Sequence, residues 1–175
     1  MNQRQGGSPA TRETGFSLIE LVTTVAIVGI LLAIATPFVA GMLRNAELRG
    51  AARIVASTMQ RARSEAITRK INVGVEFTTT AGAAIMGGSF RVYLDSDDDG
   101  VCDVGETVLE QTNVAPSVAL YGSTFATGSA RYDSRGLANG AGSIRLANAT
   151  PLFYRISVST TGNVRIQKAS TEGAI

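Results

Sequence analysis

Between Phe16 and Phe38 the sequence runs for 23 residues with a single charged side chain, that of Glu20. About 18 consecutive apolar residues are enough for an α-helix to cross the hydrocarbon core of a bilayer, so the run predicts a membrane-spanning helix. A carboxylate inside such a segment is costly and is by default a candidate functional group. Because Glu20 lies only four residues from Phe16, its side chain could instead extend to the membrane interface without a functional role.

The residues at this junction, Gly15-Phe16-Ser17-Leu18-Ile19-Glu20, resemble the type III signal of type IV pilins and type II secretion pseudopilins. The resemblance implies that a prepilin peptidase removes a leader, residues 1–15, by cleaving after Gly15, and then N-methylates Phe16. It also implies that Glu20 pairs during assembly with the new N-terminal amine, its own or a neighbour's. Such a pair is physically reasonable, because a carboxylate at membrane depth needs a cation at the same depth.

A secretory signal peptide is a second interpretation of the same segment. Arg4 and Arg12 precede an apolar stretch that ends in Ala33-Ile34-Ala35, a small-residue pattern typical of signal cleavage sites. Cleavage there would release a secreted, soluble calcium-binding β domain that starts at Thr36. The apolar run is longer than a usual signal core, and a glutamate near its start hinders ordinary insertion, so the pilin-like interpretation is favoured.

Helical periodicity continues beyond the apolar run, with small or apolar residues at three- and four-residue steps at Leu48, Ala51, Ala52, Val55, Met59, Ala62 and Ala66. The arginines of this segment occupy other positions, so a single stripe faces a core. The pattern predicts one long helix with a membrane half, residues 16–42, and an amphipathic half, residues 43–70. Arg69 and Lys70 suit its C-terminus, because basic side chains are favourable there.

Two details of this helix extend the family resemblance. Pro37 lies at a depth where many members carry a proline, which removes one backbone hydrogen bond and permits a kink. The stretch Gln60-Arg61-Ala62-Arg63-Ser64-Glu65-Ala66 through Arg69 is similar to the segment that precedes the first strand in the GspH/FimT branch. The resemblance implies an α+β, pilin-like fold in which a long N-terminal α-helix packs on an antiparallel β-sheet domain.

Residues 71–175 are expected to form that β-rich domain. Alternation of apolar and polar side chains predicts strands at 71–77 and 90–94, and shorter runs predict strands at 107–109, 118–121, 143–146, 154–158 and 164–166. The sequence Thr160-Thr161-Gly162-Asn163 predicts the turn of a terminal hairpin. Two glycine-rich stretches, 81–88 and 136–142, predict mobile loops without a phosphate-binding pattern.

The segment from Asp95 to Glu106 matches the calcium-loop pattern in spacing. It has carboxylates at loop positions 1, 3, 5, 9 and 12 and glycine at position 6, and the candidate ligands are Asp95, Asp97, Asp99, Val101, Asp103 and Glu106. Six of the 14 acidic residues of the chain lie in these 12 positions, so a cation would relieve substantial repulsion. The flanks predict strands, which makes this an isolated loop; a flexible acidic hairpin connection is the alternative.

Catalysis finds little support in the composition. The chain has no histidine, and its one cysteine, Cys102, has no candidate base nearby, so no catalytic residues are predicted. The protein is expected to be a substrate of prepilin peptidase rather than an enzyme, and to require no cofactor. A single cysteine also excludes an intrachain disulfide.

The resemblance also implies partners and a location. The partners are prepilin peptidase, other minor pilins or pseudopilins, the major subunit and lipid of the inner membrane. The protein would cross that membrane once, with its C-terminal domain in the periplasm, or outside the cell after incorporation in a pilus. Both a minor pilin of a type IV pilus and a pseudopilin near the tip of a type II secretion pseudopilus fit the sequence.

DNA uptake is a further alternative. Some FimT-like minor pilins carry a C-terminal Gly-Arg-x-Arg motif for DNA, whereas this chain has Gly162-Asn163-Val164-Arg165 followed by Lys168 and lacks the first arginine. Arg165 and Lys168 are therefore candidates for phosphate contacts, although charges on an exposed strand more often form only its solvent face.

Overall fold

The computed structural model of the chain describes residues 16–150 and 152–170. One helix is followed by eight strands: α1 Leu18–Arg69, β1 Asn72–Thr78, β2 Ser89–Asp95, β3 Val108–Asn113, β4 Val118–Tyr121, β5 Ser129–Tyr132, β6 Gly142–Asn148, β7 Phe153–Val158 and β8 Val164–Ala169. Gly15 and the predicted leader lie outside the described residues. The order of elements is that of the predicted α+β fold.

Helix α1 extends over 52 residues with recognisable ends. The carbonyl of Ser17 accepts the amide of Leu21 at 3.1 Å, and serine is a preferred residue at the position before a helix. Lys70 has φ of 59°, the left-handed conformation that commonly closes a helix. The predicted C-terminus is thereby confirmed, and Pro37 lies inside the helix as the sequence predicted.

The chain divides into two compact units, one ending at Val39 and one starting at Ala40. In the first, every described residue from 16 to 39 is exposed, and α1 contains an 18-residue window with mean hydropathy 2.5. By length and composition this part of α1 can cross a membrane. The division falls three residues before the predicted boundary at 42.

The strands of the second unit form two antiparallel sheets, which confirms the predicted antiparallel β domain. Sheet 1 has the order β3-β2-β1-β5, and sheet 2 has the order β4-β6-β7-β8. The predicted terminal hairpin is confirmed, because Val158 pairs with Val164 across a turn in which Gly162 has φ of 78°. Strand β5 was not predicted, and β3 extends from Val108 to Asn113 instead of ending at 109.

The amphipathic half of α1 lies in the core of this unit. All seven residues of the predicted stripe are buried. Leu48, Val55 and Met59 belong to one continuous cluster with Val73 and Val75 of sheet 1. The same cluster includes inner-face residues of sheet 2, namely Ile144, Leu146, Tyr154, Ile156 and Val158. One stripe of the helix therefore covers the apolar faces of both sheets.

The glycine-rich stretch 81–88, predicted as a mobile loop, is held by backbone hydrogen bonds to β4. The amide of Thr80 donates to the carbonyl of Leu120, the amide of Gly87 donates to Val118, and the amide of Leu120 donates to Gly87, at 2.8 to 2.9 Å. Ala83 and Met86 pack on Ala119, Tyr121 and Ala147 in a second, small apolar cluster. This stretch therefore joins the end of sheet 1 to the edge of sheet 2.

On the outer face of sheet 1, Tyr93 lies across Gly74, its partner in the β1–β2 register. A Cβ atom at Gly74 would come within 2.2 Å of Cζ of this ring. Tyr93 is fully buried, and burial raises its pKa to about 12. The glycine in the middle of β1 is thus explained by the ring that packs on it.

We expect Gly74→Ala to lower the free energy of unfolding by about 1 to 3 kcal/mol, because the new methyl group overlaps a buried ring. Gly82→Ala is the matched control, since a Cβ atom there meets nothing within 4 Å. Urea denaturation of both variants in detergent, followed by circular dichroism, measures the difference. Equal stabilities of the two variants would show that the Tyr93 ring does not pack closely on Gly74.

Candidate functional site

The candidate processing and assembly residues, Phe16 and Glu20, are exposed at the N-terminal end of α1. Phe16 is 82% exposed, and Glu20 is exposed in the first turn of the helix. A negative charge is favourable there, because the helix macrodipole places partial positive charge at its N-terminus. Within the part of the chain that the structure describes, no group donates a hydrogen bond to the Glu20 carboxylate.

Ser17 and Glu20 also stand in the order Ser-x-x-Glu, the spacing of a helix capping box. Ser17 precedes the first helical residue, so the register is that of the motif. Among the contacts of residues 16–150, neither side chain accepts a hydrogen bond from the backbone amide of the other residue, so the capping box is not formed. The spacing alone therefore does not account for Glu20.

The acidic loop connects β2 to β3 and folds back over the outer face of sheet 1. Ser129 of β5 donates its hydroxyl to the carbonyl of Gly100, and Arg131 Nη1 donates to the carbonyl of Asp98 at 2.6 Å. Gly100 has φ of 80°, and a Cβ atom there would come within 2.7 Å of Arg131 Cδ. Glycine at loop position 6 is therefore required both by backbone conformation and by close packing.

The structure brings three of the predicted calcium ligands together. One oxygen each of Asp95, Asp97 and Asp99 lies within 4.8 Å of the other two. Short turns shape this part of the loop, because Asp99 Oδ1 accepts the amide of Val101 at 2.7 Å. Glu106 connects the two ends of the loop, since its Oε1 accepts a hydrogen bond from the backbone N–H of Ser96 at 2.7 Å.

The other predicted ligands lie outside that group of three. Glu106 Oε2 accepts the amide of Asp103 at 3.2 Å, so both of its oxygens are engaged with backbone. Asp103 is exposed, and Val101 is 42% exposed. The structure thus brings the residues at positions 1, 3 and 5 of the loop together, and all six calcium ligands stay predictions.

Arg131 was not predicted as part of this site, because strand β5 that carries it was missed. Its Nη1 lies 3.4 Å from Oδ2 of Asp95, and its Nη2 lies 3.5 Å from Oδ1 of Asp98. The Asp95 side chain is fully buried, and burial raises its pKa against the opposing effects of Arg131 and the Gly100 backbone amide. Oδ1 of Asp95 is buried without a hydrogen-bond partner of normal geometry in the described chain.

The predicted DNA residues point to opposite faces of sheet 2. Arg165 pairs in register with Ser157, and Lys168 pairs with Tyr154, whose side chain lies in the core. Side chains alternate between the faces of a strand, so Arg165 and Lys168 do not share one surface. Arg165 instead shares the outer face with Arg155 on the adjacent strand β7 and with Arg145 on β6, which are themselves cross-strand partners.

Sequence comparison decides the family. Residues 51–162 match the family described as "Type II transport protein GspH", and residues 11–36 match the "Prokaryotic N-terminal methylation motif". The first match covers more than half of the chain. The chain belongs to the GspH family. Members of this family and fold are pilins and pseudopilins, which are structural proteins rather than catalysts.

Comparison with solved structures gives two proteins to which the chain is similar. The type IV minor pilin FimU of Pseudomonas aeruginosa is 18% identical with a TM-score of 0.52, over 72% of this chain and 91% of FimU. The minor pseudopilin EpsH from the type 2 secretion system of Vibrio cholerae is 14% identical with a TM-score of 0.49, over 69% and 96%. No curated protein sequence matches the chain significantly. The similarity to FimU confirms the pilin-like fold of this GspH-family chain.

We expect Arg131→Gln to lower the free energy of unfolding by about 3 kcal/mol in chelator-containing buffer, because it leaves the buried Asp95 carboxylate without an ion pair. Arg135→Gln is the matched control: its guanidinium pairs with Asp133 at 2.8 Å on the surface, and its loss should cost less than about 1 kcal/mol. Denaturant titration of both variants gives the two values. A loss in Arg131→Gln no larger than in the control would show that Asp95 does not depend on this pair.

Proposed function

We propose that this GspH-family protein is a minor subunit of a filament, either a type IV pilus or a type II secretion pseudopilus. Prepilin peptidase would remove residues 1–15, and the mature chain would join other minor subunits near the filament tip. The observation that carries the proposal is α1, whose first half is exposed and apolar and whose second half is buried in a β domain. A helix apolar on all sides is stable only in a membrane or among other helices.

Assembly would transfer that apolar half from lipid to a bundle of identical or related helices. Lipid tails and leucine side chains are equally apolar, so the transfer gains little from the hydrophobic effect, and helix association depends on close packing and polar pairs. Glu20 is the one charged side chain available for a polar pair in the run 16–38. Its pairing with the amine of a processed Phe16 supplies the specificity that the apolar residues lack.

Orientation follows from the charges before the apolar run. Arg4 and Arg12 precede it, and basic residues favour the cytoplasmic side of a membrane, which would place the β domain in the periplasm before assembly. Pro37 cannot donate a backbone hydrogen bond, so the helix has a weak point within its apolar half where it can bend during packing. The β domain then remains outside the helical bundle and contacts neighbouring subunits.

Complementation of an in-frame deletion strain tests this function, with exoprotein release and surface piliation assayed in parallel. We expect the wild-type gene to restore the missing process, and Glu20→Ala to be cleaved but to fail in assembly, because the amine loses its partner. Glu65→Ala is the matched control: Glu65 lies on the same helix but forms a surface pair with Arg69.

The affected process identifies the filament. Lost release with normal pili indicates a secretion pseudopilus, and lost pili with normal release indicates a type IV pilus. A deletion that affects neither process would contradict the proposed function. Full complementation by Glu20→Ala would contradict only the role of Glu20.

DNA retention is a second candidate function, supported by the outer face of sheet 2. Arg145, Arg155 and Arg165 lie on this face, and the four strands of the sheet contain no aspartate or glutamate. Among the described residues, none of these guanidiniums forms a salt bridge. Arginines without a salt-bridge partner on one sheet surface can bind the phosphate groups of DNA, whatever its base sequence.

The two basic residues of β8 provide a matched test of this candidate. We expect Arg165→Gln to weaken retention of double-stranded DNA and to reduce the salt slope by about 1, because one phosphate contact is lost. Lys168→Gln removes the same charge from the opposite face and should leave retention unchanged. Equal effects of both substitutions would indicate a response to net charge only, and no retention by the wild-type chain at low salt would exclude the candidate.

A further inference from the structure

We propose that the loop from Asp95 to Glu106 binds one calcium ion, with carboxylates of Asp95, Asp97 and Asp99 as the ligands that are already in place. The site is separate from the processing and assembly function proposed above and does not depend on it. Hard divalent cations bind carboxylate and carbonyl oxygens, and the three aspartates and the loop backbone supply both.

The spacing of the three carboxylates fits a shared ion. Calcium binds oxygen at about 2.3 to 2.6 Å, so two ligands of one ion lie at most about 5 Å apart. The oxygens of Asp95, Asp97 and Asp99 lie within 4.8 Å of one another. Carboxylates at this separation repel each other, and a cation between them converts the repulsion into attraction.

The second observation is the unsatisfied oxygen of Asp95. Its side chain is fully buried, and Oδ1 has no hydrogen-bond partner of normal geometry among the described residues. Asp95 is the buried member of the group of three, so this side chain faces Asp97 and Asp99 from the sheet side of the loop. A buried carboxylate oxygen without a partner is costly, and a metal ion removes that cost.

Arg131 is not the partner of Oδ1 of Asp95. Its guanidinium contacts Oδ2 of Asp95 and the carbonyl and carboxylate of Asp98. In the described part of the chain, no lysine or arginine pairs with Asp97 or Asp99. The one guanidinium therefore pairs with Asp98 and with Oδ2 of Asp95, and Asp97, Asp99 and Oδ1 of Asp95 have no cationic partner among the described residues.

The remaining ligands follow from the loop pattern. Position 7 contributes a backbone carbonyl, here that of Val101, and position 12 contributes Glu106, which is already hydrogen-bonded next to Asp95 at the amide of Ser96. Asp103 at position 9 would act through water. A flexible, partly exposed loop suits calcium better than magnesium, which requires near-ideal octahedral geometry and retains its waters.

The test is calorimetric titration of the full chain in detergent after removal of metal with a chelator. We expect one calcium ion to bind with a dissociation constant of about 0.1 to 1 mM, the range of extracellular sites, with magnesium binding at least about tenfold more weakly. Saturating calcium should also raise the Tm of the protein, because the ion binds only the folded loop.

Asp99→Asn should weaken calcium binding by about tenfold or more, because the side-chain oxygen of asparagine carries no negative charge. The same oxygen can still accept the hydrogen bond from the backbone N–H of Val101, so the loop should keep its conformation. Glu110→Gln is the matched control: it removes one carboxylate from the neighbouring strand β3, where Glu110 pairs with Arg61. Equal Tm values of Asp99→Asn and wild type in chelator would show that the variant is folded. Absence of binding by the wild-type chain, or equal weakening in both variants, would overturn the proposal.

Discussion

The contact between the amphipathic half of α1 and the inner faces of two sheets is the interaction on which the β domain depends. Leu48, Val55 and Met59 are fully or almost fully buried, and burial of each such side chain contributes about 1.5 to 3 kcal/mol. Each four-stranded sheet has an apolar face that must be covered. Because one helix covers both, the two sheets are fixed to the same element that continues into the membrane segment.

Periodicity predicted the individual helix and strands of this arrangement where the apolar pattern was long. The seven-residue stripe of α1 and the strands β1, β2 and β7 are all longer than five residues and alternate or repeat clearly. Strand β5, Ser129-Ala130-Arg131-Tyr132, has four residues and no β-branched side chain, so its sequence gives little sign of a strand. Its position is set by pairing with β1 more than 50 residues earlier, a contact that local patterns do not contain.

In the acidic loop, too, local sequence patterns do not contain the contacts between distant residues. Carboxylate spacing predicted six calcium ligands, and the structure brings three of them together, Asp95, Asp97 and Asp99. The sequence could not predict that Asp95 would be buried, because burial results from the loop folding over sheet 1. Nor could it predict Arg131, which lies 36 residues from Asp95 on the missed strand. The counter-charge in a site is determined by topology, whereas its acidic residues are determined by local spacing.

The apolar half of α1 raises the question of how one subunit recognises another. Its large side chains, from Leu18 to Leu43, are exposed on all sides, so the helix has no single face that selects a partner. Helices of this kind pack with many others at similar free energy. In the proposed filament, specific assembly would therefore come from groups that differ between subunits or that need one partner, namely the Glu20 carboxylate and the surface of the β domain. Calcium in the acidic loop would act on that surface by fixing the conformation of the β2–β3 connection.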